Sequence, residues 1–313
     1  MDIIAKNITH TYNEGSPFSS AALKGVDLTI REGEFFGIIG HTGSGKSTFV
    51  QHLNALIRVY TAEKKYNPKK DKNTEKPVLQ IGEFDLTDKK CDFNALRAKV
   101  GMVFQYPEYQ LFAETVFEDV VFGLRNFAKE KPTKEAEEAA VQQAIEIVGL
   151  DYADVKDKSP FDLSGGQKRR VAIAGVIVTH PEILVLDEPA AGLDPIGKRE
   201  IMELLHKLHR DWCRTIIVVS HDMDEISENC SRVAVFSEGK VFKCCTPQEL
   251  FRHSEELEAL GLDIPLTAKV QRALAERGVE IETDFTRDDF IAKVSALFRK
   301  KTDKGDDGSC GKM

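Results

Sequence analysis

The 313-residue sequence is poor in the features that mark specialised classes. It has one tryptophan, and its six cysteines (Cys91, Cys213, Cys230, Cys244, Cys245, Cys310) form no CxxC pair, so nothing indicates a disulfide framework or a structural zinc site. Cys244 and Cys245 are adjacent, but no further ligand spacing accompanies them. Apolar stretches such as 35–39, 171–178, 183–186 and 215–219 fall far short of the ~20 residues that cross a bilayer. The opening MDIIAKNITH lacks an apolar signal core, and the expected environment is a reducing cytosol. Basic charge is not in excess either: 43 lysines and arginines face 51 acids, a net charge of −8, so no global field favours nucleic acid. With 42% hydrophobic and 30% charged residues the chain is an ordinary globular one, long enough for one large domain and something smaller.

What is present begins with three strand-like runs over 3–11, 22–30 and 34–39. The second alternates through Leu23, Val26, Leu28 and Ile30; the third is apolar on both faces, as a central parallel strand is. A helix is predicted over 47–57. The charged stretch 62–77 reads as an exposed insertion, with a basic loop for nucleic acid as the sharper alternative. A helical region follows over 115–150, including a helix with 3.6-residue periodicity over 135–148 and another starting at Ser164. With the short β-branched runs 183–186 and 215–219, the region 183–236 reads as further parallel strands separated by a helix over 197–209. The order is α/β with a helical insertion between about 105 and 170. The first domain is expected over 1–240. Beyond it, 241–313 reads as a helical extension with a frayed tail from 299. There Thr286 can cap a helix whose Phe290, Ile291, Val294, Leu297 and Phe298 share one face, packed on its own domain or against a subunit.

The chemistry concentrates in a few segments. Gly40-His41-Thr42-Gly43-Ser44-Gly45-Lys46-Ser47 fits G-x-x-x-x-G-K-[ST] between a predicted strand and a predicted helix. Glycines let backbone N–H groups curl around phosphate oxygens, and the helix adds its positive end. Lys46 supplies a point charge, and the Ser47 hydroxyl suits Mg2+. The run 183–186 ends in Asp187 and Glu188, at the edge of a parallel sheet where ligands sit. Asp187 can steady Mg2+ and Glu188 can orient or deprotonate an attacking water, although two acids there could also merely cap the next helix. Ser164-Gly165-Gly166-Gln167 forms a second anion-binding helix start, or an ordinary cap. Since one phosphate loop needs no second anion site, a head-to-tail dimer explains both: this segment covers the nucleotide held by the partner.

Phosphate loop, LSGGQ, LVLDEP and Ser220-His221-Asp222, in that order, resemble the nucleotide-binding subunit of ATP-binding cassette (ABC) proteins over roughly residues 1–240. The resemblance implies a P-loop NTPase core of RecA type with an antiparallel β subdomain and an inserted helical subdomain. It also implies roles for single residues: Gln105 near Mg2+ and the γ-phosphate, Asp194 in the loop before its helix, His221 as a γ-phosphate switch, Tyr12 stacking on adenine, and Thr48 beside Ser47 at the nucleotide. ATP and Mg2+ are the implied ligands.

A narrower resemblance rests on Val103-Phe104-Gln105-Tyr106-Pro107-Glu108-Tyr109-Gln110-Leu111-Phe112, on IGHTGSGKST and on Gly261-Leu262-Asp263-Ile264-Pro265. These are similar to the second type of ATP-binding A component in energy-coupling factor transporters, which import vitamins or transition-metal ions. It implies a second ABC ATPase subunit as partner and a membrane T component seated in a groove bounded by Tyr106 and Phe112, where Glu108 could receive an arginine. S components would be engaged through the T component, at the cytoplasmic face of the cell membrane, with no nucleic acid involved. Other ABC importers and soluble non-transport ABC ATPases share the broad motifs. Three departures leave the phosphate chemistry intact: Ala190 stands where threonine or serine is frequent, the 62–77 insertion is longer than the family pattern leads one to expect, and no glycine precedes Thr246-Pro247.

Overall fold

The computed structural model describes residues 1–59, 76–128 and 131–305. Nearly all of the charged stretch 62–77 therefore lies outside the described residues, as do 306–313 with Cys310 and the side chain of Phe298. The chain divides into two compact units, Met1–His221 with Ala234–Cys244, and Asp222–Val233 with Cys245–Met313.

The first unit holds two sheets. In one, β1 (Ile3–Tyr12), β2 (Ser20–Ile30), β4 (Val78–Ile81) and β5 (Phe84–Asp85) pair antiparallel in the order β2-β1-β4-β5. Ile3 and Ala5 point inward on β1, and the inward set then slips by one to Ile8. A register shift between Ala5 and Ile8, with Asn7 at φ 49, accounts for the slip, because an extra residue moves every later side chain to the other face. The opposing strand makes the same change from Leu23 to Val26 across Gly25, at φ 90.

The second sheet comprises β3 (Phe35–Gly40), β6 (Val100–Val103), β7 (Ile183–Asp187), β8 (Thr215–Val219), β9 (Arg232–Ser237) and β10 (Lys240–Cys245), ordered β10-β9-β3-β8-β7-β6. The pairs β3–β8, β8–β7 and β7–β6 are parallel, and every residue of these four strands is buried. That is why their sequences are continuous apolar runs rather than alternations. Between the sheets' inner faces the largest fully buried side chains include Phe36, Phe49 and Phe236, the last two with ring centroids 5.4 Å apart.

The helices of this unit are α1 (Lys46–Leu53), α2 (Phe93–Lys99), α3 (Val116–Phe127), α4 (Lys134–Ile147), α5 (Tyr152–Val155), α6 (Gly165–Ile177) and α7 (Pro195–Asp211). Helix α1 stops at Leu53, short of the 57 expected from periodicity. Ala55 adopts φ 55 there, and Arg97 donates to the carbonyls of Asn54 and Ala55 at 3.3 and 3.1 Å, so a side chain distant in sequence fixes the turn. Thr115 and Thr133 cap α3 and α4. Helices α3 and α6 cross closely: a Cβ on Gly123 would sit 2.7 Å from the Gly175 carbonyl oxygen, so only glycine fits.

The second unit contains α8 (Met223–Asn229), α9 (Pro247–Arg252), α10 (Ser254–Ala259), α11 (Leu266–Ala275) and α12 (Arg287–Gly305). Thr246 and Glu249 close a capping box on α9. The Phe285 carbonyl accepts from Ser227 Oγ at 3.1 Å and Thr267 Oγ1 at 2.6 Å, and this tie joins α8 to α11. Thr286 Oγ1 accepts from the Asp289 N–H at 3.4 Å at the start of α12. On its apolar stripe Phe290 and Val294 are half-buried, whereas Ile291 and Leu297 are exposed. Among the described residues no helix is long and apolar enough to cross a membrane.

Candidate functional site

Four adjacent parallel strands deliver the sequence motifs to one edge. The glycine-rich loop follows β3, Ser220 and His221 follow β8, Asp187 ends β7, and Gln105 follows β6. This is the carboxyl end of the sheet, where α/β folds hold ligands.

The loop is closed by contacts to its own chain. Gly40 has φ 148, and a Cβ there would collide with the Phe236 carbonyl; Gly45 has φ 102, and a Cβ would lie 2.6 Å from the Ala22 carbonyl oxygen. Both positions therefore require glycine. Lys46 is buried and its Nζ donates to the carbonyls of Gly40 and His41 at 2.7 and 2.9 Å, which curls the loop around the ammonium. Burial pulls the Lys46 pKa down, while Glu188 and Asp187 pull it back up. Among the described residues the buried Ser44 hydroxyl finds no hydrogen-bond partner. An orphaned hydroxyl in a glycine cradle beside a lysine suits phosphate oxygens.

Asp187 is buried, and that burial raises its pKa, opposed by a hydrogen bond from Ser47 and by Lys46. Ser47 and Asp187 thus offer hard oxygens side by side, the donor set of Mg2+ bound jointly with substrate phosphates. Glu188 is held at φ 50, a left-handed conformation unusual for a non-glycine residue, and its N–H donates to the Val219 carbonyl at 2.9 Å. Its carboxylate accepts from Gln105 Nε2 at 3.0 Å, and His221 Nδ1 lies 3.4 Å away on the other oxygen. Tyr106, next to Gln105, is likewise left-handed, at φ 56. Backbone strain on both sides of one hydrogen bond is a mark of functional geometry.

Tyr12 is 40% exposed, with its hydroxyl 3.2 Å from Thr48 Oγ1 and its ring edge-on to His10 at 4.5 Å. Behind it lies the buried His52, whose ring meets His10 at 5.2 Å and whose Nδ1 pairs with the Ile57 carbonyl at 2.8 Å. Burial drives the His52 pKa down to about 4.

The structure brings Lys46, Ser47, Asp187, Gln105, Glu188 and His221 into one group, and Tyr12 with Thr48 into another. Ser164–Gln167 and Asp194 form local caps instead. Ser164 Oγ accepts from the Gln167 N–H at 3.3 Å, Gln167 Oε1 accepts from the Ser164 N–H at 3.0 Å, and Asp194 accepts from the Gly197 N–H at 2.8 Å. Ser164, Gly165 and Gly166 are exposed, and a Cβ on either glycine would meet no described residue within 4 Å.

A few residues after Gln105 in sequence, Gln110, Leu111 and Phe112 line a cleft of about 230 Å³ with Arg97, Phe122 and Phe127. Tyr109 and Phe112 are 83% and 59% exposed. Glu108, read from sequence as an acceptor for an incoming arginine, is engaged within the chain by Arg169. Sequence reasoning passed over Arg169, yet a signal existed: 169, 173 and 177 fall on one face of α6, and Ile173 and Ile177 are buried, so the arginine stands on an apolar stripe. Strands β4 to β6 and helix α2 also went unread, being too short for periodicity to declare them.

A family model described as ABC transporter matches residues 23–191. The energy-coupling factor transporter ATP-binding protein EcfA2 of Clostridioides difficile is 47% identical over 285 residues, covering 91% of this chain and 93% of that protein. Its namesake from Symbiobacterium thermophilum is 47% identical over 307 residues, covering 97% and 100%. Among solved structures, cbiO1 of Clostridium perfringens, described as part of the ABC transporter complex cbiONQ, has a TM-score of 0.66 at 33% identity, covering 86% of this chain and 98% of that one. A dimeric post-hydrolysis structure of the ATP-binding cassette MJ0796, bound to ADP and Pi, has a TM-score of 0.65 at 29% identity, covering 78% and 98%.

Proposed function

The chain belongs to the ABC transporter family, and from that premise we propose how it works as a motor. It is an ATP-binding subunit of an energy-coupling factor transporter, and its ATP hydrolysis is coupled to transport. It partners another ATPase and membrane components.

In the proposed cycle the N–H groups of 40–48 and the Lys46 ammonium hold the β- and γ-phosphates, and the free Ser44 hydroxyl turns to one of their oxygens. Tyr12 presents its ring to adenine, with Thr48 steadying its hydroxyl. Ser47, Asp187 and Gln105 are the residues that would hold Mg2+, which when bound neutralises charge building on the phosphate oxygens. Glu188 accepts a proton from the attacking water, and Gln105 and His221, already against its carboxylate, aim it. The partner ATPase's nucleotide is covered by Ser164, Gly165, Gly166 and Gln167, with Asp194 along the same seam, so each cleft is completed by two chains. The observation that carries this reading is Glu188, strained into a left-handed conformation and hydrogen-bonded to Gln105 at the sheet edge that also bears Lys46 and Asp187.

The cleft at 110–112, next in sequence to the exposed Tyr106 and Tyr109, would receive an amphipathic helix of the membrane T component, and S components would be reached through it. The cargo on this reading is a vitamin or a transition-metal ion, and the subunit sits peripherally on the cytoplasmic face of the membrane. The test is purification of the tagged chain from native membranes, followed by crosslinking from a cysteine at 164 to an ATP analogue on the partner. A membrane subunit that co-purifies, and a crosslink that depends on dimer formation, would support the motor; failure of Ser164 to approach any neighbouring nucleotide would end it.

A further inference from the structure

Arg169 is 4% exposed and ties together three segments that carry residues of the proposed cycle. Its Nε and Nη2 donate to the two carboxylate oxygens of Glu108, each at 3.3 Å, a bidentate pair. Its Nη1 donates to the carbonyls of Pro189 at 3.3 Å and Ala191 at 2.9 Å. Glu108 belongs to the 3₁₀ turn Pro107–Gln110, which follows Gln105 and the strained Tyr106. Pro189 and Ala191 follow the strained Glu188, whose carbonyl accepts from the Ala191 N–H at 3.1 Å. Arg169 itself lies on α6, the helix capped by Ser164 and Gln167.

Two ties therefore run between the 105–110 segment and the 188–191 segment. One is direct, Gln105 to Glu188; the other passes through the Arg169 guanidinium and brings the start of α6 with it. A planar guanidinium with three donors engaged on opposite sides transmits displacement, because tilting it to follow Glu108 breaks its alignment with the two carbonyls.

We propose that Arg169 is a positioning residue that couples the 107–110 turn both to Glu188 in this chain's own cleft and to the Ser164–Gln167 segment that completes the partner's cleft. It rests on the docking of a membrane partner at the 110–112 cleft, and it makes that docking set turnover at both nucleotides through one buried side chain.

The test uses the assembled transporter, purified through a tag on this chain, with Arg169→Gln, Arg169→Lys, Glu108→Gln and the double variant Glu108→Gln/Arg169→Gln. ATPase kcat and KM, thermal stability and the amount of membrane subunit retained are measured on each. Arg169→Gln should lower kcat roughly tenfold to a hundredfold, as expected for misplaced reacting groups, with KM for ATP within about twofold. Arg169→Lys should restore thermal stability but not kcat, because an ammonium cannot hold the carboxylate and both carbonyls in one plane. The double variant should be no slower than the slower single one. A kcat that simply tracks thermal stability across the series, or losses that multiply in the double variant, would overturn the coupling role. Should Arg169→Gln fail to assemble, Glu108→Gln reads the same tie while keeping the side chain's shape, and wild-type kcat there overturns the proposal. Loss of the membrane subunit with Glu108→Gln alone would also overturn it, since Glu108 would then be a contact for the partner; retention of that subunit in all variants leaves the docking reading standing while kcat judges Arg169.

Discussion

The helix ends at Lys46 and at Gly165 are both rich in glycine and both point backbone N–H groups outward, yet they are built for different reasons. At the first, glycine is imposed by this chain's own backbone, which leaves no room for a Cβ on Gly40 or Gly45. At the second, a Cβ on Gly165 or Gly166 would meet no described residue within 4 Å. The serines differ in the same way: buried Ser44 Oγ has no partner among the described residues, while Ser164 closes a capping box and is satisfied. One helix end is a socket formed by its own chain, and the other is an open face whose glycines are unexplained by anything the described residues pack against it. The cleft that we propose a second chain completes would account for the difference.

The contrast can be broken most severely at the chemical step. Glu188→Gln in the assembled complex should lower kcat by about 10²–10⁴-fold with ATP still bound, as loss of a general base does, and undiminished turnover would make the socket side non-catalytic. Lys46→Ala should weaken ATP binding by the isolated chain about 100-fold, the worth of two charge-assisted contacts, as read by equilibrium titration. The phosphate-loop helix also carries a pH liability. An unfolded histidine takes its proton near 6.5, whereas His52 in the folded chain takes it only near 4, so the unfolded state gains as pH falls through that window. Stability measured by urea unfolding should drop by about 2 kcal/mol between pH 7.5 and 5, and His52→Gln should flatten much of that slope. The smallest effects sharpen the comparison best. Gly45→Ala should cost about 1–3 kcal/mol of stability, because a Cβ is forced against a backbone carbonyl. Gly166→Ala should leave stability unchanged or raise it by about 0.4–1 kcal/mol, while ATPase of the assembled complex falls.

Much of this was legible beforehand for identifiable reasons. Strands β3, β7 and β8 are buried on both faces, so their apolar runs were visible without any partner in view. The glycine-rich loop 40–47 could be read because its glycines, lysine and serine fall at the fixed spacing of a known motif. Glu188 and Gln105 could be singled out individually, but not their 3.0 Å bond across 83 residues of chain. The early stop of α1 was hidden for the same reason, since it depends on Arg97.

Local order, then, belongs to the sequence: repeat, cap and turn preferences act between residues a few positions apart, and they specify the parallel strands, the phosphate loop and the capped start of α6. What the tertiary structure alone decided is which distant charges meet. Glu108 looked available to a partner, and it is taken by Arg169, 61 residues away, because burying a guanidinium demands that its donors be satisfied wherever the fold brings acceptors within reach.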